Sequence, residues 1–177
     1  MGCDAHFFLE RRINKGDWHL DPGHKLDKEQ ENFPREIPSL SGRSYYFFGV
    51  IAGVRATYIS RPVAEGRGLP KDACSILKNF YSKEDYCFHS ATFLSPKELE
   101  RALKRYASYL TRQEKLKINM FEAASKEAFN YEGEYYFKIN GAVINYIREN
   151  LAWEKAENEL LGFKNKTEYR IIVWFDS

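Results

Sequence analysis

Cysteine is scarce in this chain, and none of it is paired in spacing. Cys3, Cys74 and Cys87 are odd in number and form no CxxC, which excludes a disulfide framework and a thiolate zinc site. They read as reduced thiols in a reducing compartment. No apolar run approaches the ~18–20 residues of a membrane span. The N-terminus lacks a basic segment followed by an apolar one, so no secretory signal is expected. Gly2 invites N-acylation, but His6 stands where Ser or Thr is required. One-signed charge is missing too: 27 basic against 25 acidic residues leave a net +2, no field to hold duplex nucleic acid. GxxxxGK[ST], GxGxxG and HExxH are all absent, and there are only four histidines. No cofactor and no metal is therefore expected. The chain reads as cytoplasmic, with no membrane partner.

Aromatic residues, by contrast, are abundant: 12 Tyr and 13 Phe in a chain 44% hydrophobic. At 177 residues, 1–177 is read as one domain with a core large enough to need no staple. CDAHFFLERRI (3–13) is extended in character, NKGD (14–17) supplies turn chemistry, and WHL (18–20) returns as a short antiparallel partner. Three prolines and many charges make 21–43 a loop. SYYFFGVIAGVR (44–55) is apolar nearly all round and predicts a buried helix, with a buried strand pair as the alternative. Residues 56–72 hold Pro62, Gly66, Gly68 and Pro70 and read as irregular.

Asp72 is placed to N-cap a helix over 73–84, with Cys74, Leu77 and Tyr81 on one face. Ser95-Pro96-Lys97-Glu98 is a capping box with proline at the first helical position. Leu99, Leu103, Tyr106 and Leu110 then form a helical stripe, and helical character continues through 112–129. A second stripe, Val143, Ile144, Ile147 and Leu151, marks a helix stopping near Gly162. TEYRIIVWFDS (167–177) is a strand buried on both faces. The fold class that follows is α+β: a small, mainly antiparallel sheet in which N- and C-terminal strands pair, covered by several helices.

Three clusters could carry chemistry. Asp4 and His6, two apart on a strand, share a face and could act as an acid–base pair or simply tie down a strand end. His89-Ser90 offers a nucleophile whose base would come from elsewhere, such as His6, because sequence neighbours usually diverge. It serves equally as a loop anchor. Arg61 and Arg67-Gly68-Leu69-Pro70 combine guanidinium groups with backbone that a ligand can approach, or pair with Glu65 or Asp72. Glu132 and Glu134 fall in what reads as a glycine-containing turn, where solvated charge suffices.

Met1-Gly2-Cys3-Asp4-x-His6, Arg67-Gly68-Leu69-Pro70-x-Asp72, His89-Ser90 with Leu94, and Arg170 with Trp174-Phe175-Asp176 occur in this order along the whole chain. Together they resemble a family of small phage-encoded and bacterial proteins. The chain departs from that pattern at Ala5, at Gly53 before Val54-Arg55, and at Ala91, where a second histidine often follows His89-Ser90. The resemblance implies phage origin and a compact product acting in the host cytoplasm; it supplies no reaction.

Placed on this fold, the polar groups predict a pocket for a small, flat, anionic ligand of nucleotide type. Asp4, Arg55, Arg61, Arg67, Gly68, Arg170 and Asp176 are its expected ligand-binding residues. His89, His6 and Ser90 are the expected catalytic ones should the ligand be turned over. Sequestration of a host defence signal, hydrolysis of such a ligand, and inhibition of a host protein through an aromatic surface all remain open. A homo-oligomer is compatible with each.

Overall fold

The computed structural model describes residues 3–21, 44–55, 61–83, 87–117 and 126–176. The loop expected over 21–43 lies outside them beyond Asp21. Four strands, β1 (Ala5–Ile13), β2 (His19–Leu20), β3 (His89–Leu94) and β4 (Thr167–Phe175), form one antiparallel sheet in the order β2-β1-β4-β3. Four helices accompany it: α1 (Tyr45–Ala52), α2 (Ser75–Tyr81), α3 (Pro96–Lys117) and α4 (Lys126–Leu161). This is the α+β class expected, with the N- and C-terminal strands paired at the centre from Ala5↔Phe175 to Ile13↔Thr167.

Strand alternation sorts the core into two layers. Odd-numbered residues of β1 and β4 (Ala5, Phe7, Leu9, Tyr169, Ile171, Val173, Phe175) pack with α1, α3 and α4. Even-numbered Phe8, Ile172 and Trp174 pack with Leu77 and Phe80 of α2. Phe8 and Trp174 lie 4.4 Å apart between ring centroids, and Phe48 meets Phe175 edge-on at 5.3 Å. Aromatic burial on both faces is what a continuous apolar run in a central strand requires.

Local chemistry sets the helix ends. Ser95 and Glu98 make the expected capping box: Glu98 N–H donates to Ser95 Oγ (3.3 Å) and Ser95 N–H to Glu98 Oε2 (2.9 Å). Leu99, Leu103 and Tyr106 are buried as predicted; the side chain of Leu110 lies outside those described. Val143, Ile144 and Ile147 are buried in α4, whereas Leu151 is 38% exposed. Gly162 follows the helix end at φ +70°. α1 is capped by Ser44 Oγ and ends at Gly53, whose φ of +75° favours glycine; a Cβ there would sit 2.9 Å from Glu65 Oε1.

Two expectations are corrected. Asp72 does not cap α2: that helix begins after Cys74, and Asp72 is drawn away by Trp18 Nε1 (3.0 Å) and Arg170 Nη1 (2.7 Å). The stretch holding Glu132 and Glu134 is not a turn but part of α4, where a single glycine costs only about 1 kcal/mol in a helix of 36 residues.

Candidate functional site

The site is built around the start of β3. The register of β3 on β4 slips between His89↔Phe175 and Thr92↔Val173, a bulge that leaves Ser90 at φ +52°. A serine in left-handed backbone is uncommon, and bulges re-aim side chains. Here the bulge turns His89 Nδ1 toward Ser90 Oγ at 2.9 Å, a contact regular strand geometry would not allow. The His89 ring lies against Phe175, with centroids 6.2 Å apart.

Opposite stands the end of α1. Val63 N–H donates to Val50 O (2.8 Å) and Ala64 N–H to Ile51 O (2.8 Å), stitching the 61–66 loop onto the last helical carbonyls. Thr92 Oγ1 donates to Ala64 O and fastens the same loop to β3. Between these walls lies a cavity of about 860 Å³ lined by Arg55, Glu65, Gly66, Phe88, His89 and Ser90 among others. Arg55, itself at φ +61°, stands near the Cys3 thiol. Burial pushes the Cys3 thiol up, with Arg55 opposing. That thiol is a buried filler rather than a nucleophile.

Asp4, His6 and Asp176 form a second group at the same end of the sheet. Asp176 Oδ1 accepts from Asp4 N–H (2.9 Å), Asp176 N–H donates to Asp4 O (3.1 Å), and His6 Nε2 lies 3.2 Å from Asp176 Oδ2. His6 also meets Phe88 edge-on at 5.3 Å. The register sets His6 beside Trp174 and His89 beside Phe175, adjacent residues of β4 whose side chains leave opposite faces. His6 and His89 therefore leave the sheet on opposite faces, and the imidazole nitrogen in hydrogen-bond distance of Ser90 Oγ is that of His89.

The remaining predicted residues lie elsewhere. Arg67 bonds Glu98 (2.6 and 3.0 Å), Phe93 O (2.8 Å) and Val63 O (3.2 Å), clamping the loop to the start of α3. Its guanidinium holds the Glu98 carboxyl down at about 2. Arg61 is exposed, with its carbonyl accepting from Arg105 (2.7 Å), and Gly68 is exposed at φ +72° with open space around it. Arg170 joins a network no sequence pattern announced. Its Nε bonds Glu10 Oε2 and its Nη1 bonds Asp72 Oδ1, both at 2.7 Å, while its guanidinium lies 4.0 Å from the Trp18 ring. The available signal was a pair of acidic and basic residues, Glu10 and Arg170, inside otherwise apolar strands, because buried charges are paired.

No group of three or more His, Cys, Asp or Glu among the described residues is placed to hold a metal ion, and none of their helices is long and apolar enough to cross a membrane. Comparison with protein-family models, with curated proteins and with solved structures finds no match.

Proposed function

We propose that this protein binds a small anionic ligand of nucleotide type in the cavity between the end of α1 and the start of β3. One observation carries the reading: Arg55, His89 and Ser90, each expected from the sequence to touch ligand, line a single cavity of about 860 Å³. That volume falls within the ~300–1,000 Å³ of small-molecule sites. Arg55 supplies a cation for phosphate or carboxylate, Phe88 and His89 supply ring surface for a base, and Gly66 leaves room for close approach. Backbone held at φ +52° in Ser90 fits a site in which local strain serves binding. The phage resemblance gives this reading a biological form, capture of a host defence signal in the host cytoplasm.

Thermal-shift and calorimetric titration with AMP, ADP-ribose and cyclic dinucleotides test the reading. At least one should stabilise the wild-type protein and lose affinity at least about tenfold in Arg55→Gln. Absence of stabilisation by any of these probes overturns it. A second reading, hydrolysis, is favoured by the 2.9 Å contact between His89 Nδ1 and Ser90 Oγ. It requires turnover detected by chromatography and abolished in Ser90→Ala. Ligand recovered intact after denaturation leaves binding alone.

A further inference from the structure

The cavity at His89 carries charge of both signs. Arg55 and Glu65 line it together, and neither forms an ion pair with the other or with any other described residue. Backbone holds their roots apart. Arg55 follows the left-handed Gly53 at the end of α1 and is itself at φ +61°. Glu65 follows Ala64, whose N–H donates to Ile51 O (2.8 Å) and whose carbonyl accepts from Thr92.

From that anchor the Glu65 side chain folds back over the end of α1. A Cβ on Gly53 would lie 2.9 Å from its Oε1 and 3.2 Å from its Cδ, so the bare glycine is what admits the carboxylate to this wall. The end of a helix favours a cation, because its last carbonyl dipoles point there. Glu65 is therefore held by the loop in a place where both the carboxylate and the helix end attract a hydrogen-bond donor.

A ligand that complements both groups is dipolar, with an anion for Arg55 and N–H donors for Glu65. Purine bases differ on this point. Guanine presents two adjacent donors, N1–H and the 2-amino group, which the two oxygens of one carboxylate accept together. Adenine presents a single amino group flanked by ring nitrogens, whose lone pairs would face the carboxylate and be repelled. Phe88 and His89 offer ring faces to either purine, so stacking does not choose between them.

We infer, resting on the nucleotide reading of this cavity, that Glu65 selects a guanine base while the phosphate of the same ligand is held by Arg55. Glu65 is thus the specificity-determining residue, and Gly53 is the position that lets it act. A guanine mononucleotide and a guanine cyclic dinucleotide share this chemistry.

The test is calorimetric titration of the full chain with GMP, inosine monophosphate and AMP, and with cyclic di-GMP and cyclic di-AMP. GMP should bind at least about tenfold tighter than AMP. Inosine monophosphate, which keeps N1–H but lacks the 2-amino group, should fall between them. The same preference should hold between the cyclic dinucleotides, and the tighter guanine ligand identifies the form in which the base arrives. Glu65 is exposed, so Glu65→Gln should keep the wild-type melting temperature. It should lose at least about tenfold for GMP while binding AMP equally or more tightly, because a side-chain amide pairs with adenine. A carboxylate that only packed against α1 would weaken both nucleotides alike. Equal affinity for GMP and AMP, or a preference for AMP, with binding lost in Arg55→Gln, would overturn the guanine assignment and leave nucleotide binding standing. A guanine preference that survives Glu65→Gln would overturn the role of Glu65. Binding of none of the five ligands would overturn both readings.

Discussion

Replacing Arg170 by methionine should destabilise the fold by about 3–5 kcal/mol, because it strands a buried carboxylate. Glu10 is 0% exposed and is held by two hydrogen bonds, from Arg170 Nε (2.7 Å) and from Cys74 N–H (2.7 Å). Opposite charges with centres about 4 Å apart attract by ~4 kcal/mol at an effective dielectric of about 20. Methionine retains the apolar stem, so the lost volume adds little. Asp72, the other partner, is 60% exposed and regains water when released, so Asp72→Asn should cost under about 1 kcal/mol.

The double variant Glu10→Gln/Arg170→Met leaves no buried charge and keeps an acceptor for Cys74. It should therefore cost at least ~2 kcal/mol less than the sum of the single changes. Urea titration of the four proteins measures this coupling. In a thermal scan Arg170→Met should melt on the order of 6–20 °C lower. A loss below about 1 kcal/mol, or strict additivity, would refute the claim that the pair is mutually dependent.

The Arg67–Glu98 clamp should make stability pH-dependent in acid. Because Glu98 sits at about 2 in the fold against its usual 4.5, its contribution is complete above about pH 4.5 and is lost as pH falls toward 2. Wild type should lose ~1–2 kcal/mol over that interval beyond any loss in Glu98→Gln, as read from urea midpoints. Ser90→Gly relieves the positive φ and should leave stability unchanged or raised by up to ~1 kcal/mol while removing the hydroxyl from the cavity. A clear loss of stability would show instead that Ser90 is a structural anchor. Among the thiols, exposed Cys87 should react at once with a disulfide reagent near neutral pH, whereas Cys3, fully buried, and Cys74, pushed up to about 11 by burial, should react only on unfolding. Fast labelling of Cys3 would contradict the burial of the residues that lead into β1.

Those features whose cause is local were legible in advance. The Ser95–Glu98 box, the stripe from Leu99 to Tyr106 and the apolar run from Ile171 to Phe175 each state their structure within a few residues. Pairing of the N- and C-terminal strands could be inferred because two apolar strands at opposite ends of the sequence need each other to bury their faces. Register could not. Whether His6 falls beside Trp174 or Phe175 depends on a one-residue slip, and that slip decides whether it shares a face with His89. The His89–Ser90 contact was hidden for a related reason: it exists only because a bulge places Ser90 in left-handed backbone. Asp72 shows the opposite failure. Its position before a helix satisfied a local rule, yet a guanidinium 98 residues away competes for the same carboxylate and wins.

The candidate site then traces to one disparity, the length of β3 against β4. Six residues cannot cover nine, so β3 must leave some of β4 bare, and the two ends of β3 resolve this differently. At its start the strand bulges instead of pairing evenly, which turns His89 and Ser90 into the cavity facing α1. At its finish Ser95 and Pro96 divert the chain into α3, and pairing with β4 ends at Leu94↔Ile171. Thr92, fully buried and bonded to the Ala64 carbonyl, fixes the middle of the strand and so prevents either end from shifting to cover the other. The loop carrying Arg67 is thereby bound to β3, and its Glu65 and Gly66 line the cavity. Its arginine spans Val63, Phe93 and Glu98 and holds the cavity wall against the first turn of α3. An arginine of that kind positions neighbouring structure, which is why a residue chosen from the sequence for phosphate contact serves here as the brace between the cavity wall and α3.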